Sequence, residues 1–85
     1  MGVSVPLEIL RRLGVPPSER GSANAISCPD IFELRDGRFA IIGTDVTADL
    51  DQQLPAGASL GPDERIVAIT RETMLRARQD ISALA

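Results

Sequence analysis

The sequence predicts a small α+β domain, and three stretches of its 85 residues carry that reading. Asp36-Gly37 lies between two β-prone runs within residues 31–42, the strongest short-range signal for a hairpin. Arg65 to Ile69 reads as a third strand, apolar on both faces and therefore central. From Thr70 onward, Met74, Ala77, Ile81 and Leu84 recur at helical spacing. The expected architecture is a three-stranded sheet, made of the hairpin 31–42 and the strand 65–69, with a C-terminal helix and a short N-terminal helix. Residues 1–85 form a single small domain of this kind.

The N-terminal helix is expected over residues 6–13. Pro6 suits a first helical turn, where a missing amide hydrogen costs nothing. Leu7, Leu10 and Leu13, with Ile9, make an apolar stripe, and Glu8 can pair with Arg12 one turn on. Gly14 followed by Val15 is a helix stop, reinforced by Pro16 and Pro17. Residues 16–28, rich in Ser, Gly, Asn and Ala, read as a flexible linker to an α+β core over 29–85.

Within the hairpin, a two-residue turn at Asp36 and Gly37 sets Leu34 opposite Phe39 and Phe32 opposite Ile41. That register places both phenylalanines, the only aromatic residues, on one face, which becomes the core against the C-terminal helix. Gly43 then breaks the strand. Thr47 is placed to cap a short helix through Leu54, with Asp49 near its positive end. Pro55, Gly57, Gly61 and Pro62 mark a loop. In the last helix Glu72 and Arg76 form an i,i+4 pair, and Arg76 with Asp80 a second.

Composition excludes more than it assigns. There is no histidine, which removes histidine-dependent triads, imidazole metal sites and a switch near neutral pH. Cys28 is the only cysteine, so no disulfide forms within the chain, and a reducing cytosol is the simplest compartment. It has no imidazole to activate it and reads as a small structural residue. Asp45, Asp49, Asp51, Asp63 and Glu64 lack the order of a calcium loop, and the glycines are too scattered for a phosphate-binding loop. No catalytic residue, cofactor or metal is therefore expected. The net charge of −3 does not favour a general nucleic-acid binder, and the apolar run 39–42 is far shorter than the roughly 20 residues of a membrane span.

Two resemblances add to this. The segment VPLEILRRLGV, followed downstream by the DG turn and a strand, resembles part of an AbrB-type swapped-hairpin domain over Val5 to Ile42. That resemblance implies two interlocked chains gripping DNA through arginines, with Arg11 and Arg12 at the matching positions. The stretches CPDIFELRDGRFAIIGTDVT and PDERIVAITRETMLRA resemble small actinobacterial proteins that carry no assigned activity. This second resemblance spans Cys28 to Ile81 and implies a stand-alone cytosolic domain.

One C-terminal helix cannot cover all the aliphatic surface of the predicted sheet. Ile31, Ala40, Ile42 and Ile66 or Val67 are left on a strip facing away from it. The expected function is a non-catalytic protein-binding or regulatory module acting through an aliphatic interface, with a second copy or another protein as partner. Its expected contacts are Leu7, Leu10, Leu13, Ile31, Ile42 and Ile66. The alternative is a small DNA-binding regulator or antitoxin of the AbrB-like kind, with nucleic acid met by Arg11 and Arg12.

Overall fold

A computed structural model describes residues 6–16 and 29–84. Its strands are β1 (Ile9–Arg12), β2 (Asp30–Leu34), β3 (Phe39–Ile42), β4 (Thr44–Asp45) and β5 (Val67–Ala68). Its helices are α1 (Thr47–Leu50), which runs into a 3-10 turn at Asp51–Gln53, α2 (Arg71–Arg76) and α3 (Arg78–Ser82). The class is α+β. Strands β1, β2 and β3 form an antiparallel sheet in that order, β4 and β5 form a separate two-stranded sheet, and the helix pair α2 and α3 packs on the larger one.

The hairpin forms where expected, but its register differs by one residue. Gly37 has φ +94°, and no non-glycine residue among those described has positive φ, so Asp36 cannot join a turn that needs two left-handed residues. The chain instead makes a three-residue loop. The Gly37 amide donates to the Leu34 carbonyl at 3.1 Å, and the Leu34 amide donates to the Arg38 carbonyl at 2.9 Å, as in a type I turn followed by a glycine bulge. Phe32 consequently faces Ala40, and Phe39 faces Glu33. A one-residue shift inverts every side chain, so the two phenylalanines lie on opposite faces of the sheet and not together in the core.

A second correction concerns residues 6–13. The expected N-terminal helix is a strand at Ile9–Arg12, and it supplies the third strand of the main sheet in place of 65–69. Pairing with β2 explains the choice. Arg11 meets Glu33 at 2.8 Å, Arg12 meets Asp30 at 2.9 Å, and Glu8 meets Arg35 at 2.7 Å, so each charge on one strand finds its opposite on the other. Glu8 therefore pairs across the sheet, and not with Arg12 along a helix. The Arg12 guanidinium also lies 5.7 Å from the centre of the Phe32 ring. Leu10 is the extra residue of a bulge between Ile9 and Arg11.

Of the expected third strand only Val67 and Ala68 are extended, paired with β4 and exposed. Gly43 links β3 to β4 at a point where a Cβ would stand 2.5 Å from the Ala68 carbonyl oxygen. Thr47 does not cap α1. Its hydroxyl accepts the Ile66 amide at 2.8 Å, while the Asp45 carboxylate accepts the Thr47 amide at 3.0 Å. Most of the linker expected over 16–28, including Cys28, lies outside the described residues.

The core is small. Leu13, Ile31 and Ala77 are its buried apolar residues, with Ile69 and Leu84 packed beside them. Leu13 and Ile31 share one face of the sheet, the face that also carries Phe39 and Ile41. Against it, α2 begins at Thr70, whose hydroxyl accepts the Thr73 amide at 3.2 Å, and Thr73 is buried. The last helix is interrupted at Ala77, whose amide donates to the Met74 carbonyl in a tighter i,i+3 turn. Ala77 is small where the backbone of Gly14 comes closest, and Gly14 is left-handed at φ +88°. The Gly14 amide donates to the Asp80 carboxylate at 2.7 Å, which ties the end of β1 to α3. Asp80 is thus engaged by the sheet and not by Arg76, whereas the Glu72–Arg76 pair forms at 2.8 Å as expected.

Two outcomes follow from the hairpin and its exit. Replacing Gly37 by Ala meets no neighbour and costs only the left-handed backbone, about 1–2 kcal/mol. Gly43→Ala clashes with backbone and is expected to cost more than Gly37→Ala; urea unfolding of the two variants side by side checks that order. The Arg38 side chain hydrogen-bonds the Asp36 carboxyl, with the Arg38 amide adding to it, and holds its pKa below the ordinary aspartate value. A depressed folded pKa stabilises above the unfolded value, and that stabilisation is lost as pH falls through the folded one. An NMR titration should place the Asp36 midpoint below that of a free aspartate, and Arg38→Ala should bring it back up.

Candidate interaction surface

The most distinctive surface is an apolar groove between β3 and the helix pair. Phe39 and Ile41 form one wall, Met74 and Ile81 the other, and Ile31 the floor. Its volume is about 160 Å³. An apolar cavity of roughly 150 Å³ holds a benzene-sized group, so the groove suits one large apolar side chain and not a cofactor. Except for Ile31, its lining residues are exposed, Phe39 at 47% and Met74 at 46%. Leu75, Arg78 and Ser82 extend the same side of the helices.

Its chemistry comes from local sequence. Phe39-Ala40-Ile41-Ile42 has no charge, no proline and no glycine, and it forms an edge of the main sheet. Because Leu34 bonds to Arg38, alternation makes Phe32/Ala40 and Asp30/Ile42 the hydrogen-bonded pairs of the ladder. The peptide groups of Phe39 and Ile41 therefore point away from β2. The same two residues thus present their side chains to the groove and their backbone to the open edge.

The other edge is built differently. β1 carries Arg11 and Arg12, flanked by Glu8, and is interrupted by the bulge at Leu10, all devices that discourage a further strand from adding. Of the two described edges of the main sheet, β3 is the smooth and apolar one.

The residues expected from sequence to form an interface are divided by this geometry. Leu13 and Ile31 are buried at 2% and 3% and belong to the core, so their expected contact role gives way to a structural one. Leu7, Leu10 and Ile42 are exposed, with Ile42 on the sheet face opposite the groove. Ile66 is half-buried and held by Val46 and Thr47. Arg11 and Arg12 point to opposite faces, each engaged by a carboxylate, and so do not form one basic patch. Phe39, Met74, Leu75 and Ile81 were not among the expected contacts. The helical spacing of Met74 and Ile81 was visible, but it assigned them to the core; Ala77 and Leu84 turn inward instead.

A cleft of about 350 Å³ is lined by Pro29, Gly43, Thr44, Ala68, Ile69 and Thr70, none of them ionisable. Among the described residues no three His, Cys, Asp or Glu side chains gather as a metal-binding group, and no helix is long and apolar enough to cross a membrane. Arg35 hydrogen-bonds Glu8 and holds its carboxyl below the ordinary range, while the Thr47 amide does the same for Asp45. Both shifts stabilise a carboxylate in its charged form, the opposite of what a general acid requires. Comparison with family models, with curated proteins and with solved structures finds no significant match to this chain.

Proposed function

We propose that this chain is a non-catalytic protein-binding or regulatory module that works in the cytosol, through an aliphatic interface, as a homodimer. The observation that carries the reading is the imbalance between buried and exposed apolar side chains. Leu13 and Ile31 are the only large apolar side chains buried among the described residues, and each contributes about 1.5–3 kcal/mol. Eleven large apolar side chains are exposed among them, five of which (Phe39, Ile41, Met74, Leu75 and Ile81) line or adjoin the groove. A domain of this length has little apolar burial to spare, and association supplies what the single chain lacks. Contiguous apolar surface of this kind is typical of a protein contact.

Sedimentation equilibrium across the micromolar range tests the proposal. The expected result is a mass of twice 9.1 kDa at the upper end, with dissociation on dilution. Ile41→Asp, on the groove face, should shift the protein to monomer, whereas Leu50→Asp, exposed on α1 and outside the groove, should leave the dimer in place. A wild-type chain that stays monomeric throughout would overturn the homodimer.

A further inference from the structure

We infer that two copies join through the open edges of β3, running antiparallel about a two-fold axis at Ala40, so that two three-stranded sheets become one of six strands. The inference rests on the homodimer reading above and specifies how it is built. Three features of β3 select this arrangement.

The first is hydrogen bonding. Phe39 and Ile41 are the residues of β3 whose peptide groups face outward, as the Leu34–Arg38 bond requires. With the axis at Ala40, Phe39 of each copy stands opposite Ile41 of the other, and every outward N–H and C=O is paired, giving about four bonds. An axis at Phe39 or at Ile41 pairs only one of these residues with its own copy and sets the other against the turn or Gly43.

The second is side-chain matching. The axis at Ala40 makes two aromatic to β-branched cross-strand pairs on the groove face, a favourable combination. It places Ala40 against its own copy on the opposite face, where small side chains allow close approach. Arg38 falls opposite Ile42 and not opposite itself, and its guanidinium is already held by Asp36 at 2.7 Å. No like charges meet along the junction.

The third is the contrast between edges. β1 is protected by a bulge and charges and β3 by neither, although both are edges of one sheet. Joined at β3, the two grooves become one apolar layer: Phe39 and Ile41 of both copies lie between the two helix pairs, flanked by Met74 and Ile81.

Disulfide trapping tests the register. Facing residues of a non-hydrogen-bonded antiparallel pair have Cα atoms about 4.5 Å apart, within the roughly 4.4–6.8 Å that a disulfide spans. In a Cys28→Ser background, Ala40→Cys should convert to a covalent dimer of doubled mass under mild oxidation. Arg38→Cys, about 14 Å from its own copy in this arrangement, should remain unlinked. Ile41→Pro removes an outward amide that takes no part in pairing with β2; its mass should halve while its circular dichroism stays that of the wild type. A wild-type dimer in which Ala40→Cys links no faster than Arg38→Cys overturns the β3 junction and leaves the homodimer standing on another surface. A monomeric wild type overturns both. A folded Ile41→Pro chain that remains dimeric also counts against the junction, and the cross-link decides the matter if that variant unfolds.

Discussion

The left-handed backbone at Gly37 is the constraint on which the rest of the structure depends. One glycine in that conformation closes a three-residue loop, and the loop fixes which residues of β2 and β3 face one another. Because strand side chains alternate with a period of two, this choice sends Ile31 and Ile41 toward the helices and Phe32 and Ile42 away from them. Leu13 joins Ile31 on the helix side through the β1 register, and the core forms there. Had the loop held two residues, Phe32 would lie with Ile41 and Phe39 with Leu34. With β2 held in place by β1, Ala40 and Ile42 would then face the helices, and Phe39 and Ile41 would leave the groove.

Charge determines the second half of the architecture. Residues 6–13 have ample helix formers, yet a helix there would leave Asp30 and Glu33 without the arginines they now meet. In the strand, Arg12 also covers Phe32, which is half-buried. Glu8–Arg35 and Arg11–Glu33 are exposed pairs of the kind that adds little stability, so they select an arrangement more than they stabilise it, whereas Arg12 meets an Asp30 that is buried. The Gly14 amide bound to Asp80 converts that selection into tertiary structure by joining the strand end to α3.

These two points explain what could be read from sequence and what could not. The α+β class, the turn at Asp36-Gly37 and the Glu72–Arg76 pair were legible, because each depends on residues close together in the chain, whereas Gly14, read as the stop of a helix, instead follows a strand. The hairpin register was not. Phe39-Ala40-Ile41-Ile42 is apolar at every position, so no alternation of polar and apolar residues distinguishes one register from the next. The strand at residues 9–12 was hidden for a different reason: Leu7, Leu10 and Leu13 fit helical spacing, while the opposing charges lie 18 to 27 residues away. The groove was half legible, since Met74 and Ile81 were recognised as apolar but were assigned to the interior.

In the proposed dimer, the same features that obscure the register in sequence are the ones β3 would bind with. A strand with one polar face would declare its orientation, and it would also lose half of its apolar contact surface. β3 is apolar on both faces, and its outward peptide groups add direction to what would otherwise be nonspecific attraction. Hydrophobic burial scales with area and has little geometric preference, whereas backbone hydrogen bonds fix spacing and antiparallel sense. In the proposed dimer, a chain with so few large buried side chains would gain from both at one edge: association would cover Phe39 and Ile41 and extend the sheet that holds Leu13 and Ile31 in place. On this account, folding and association are coupled, and the stability of the module depends on the concentration of its own chain.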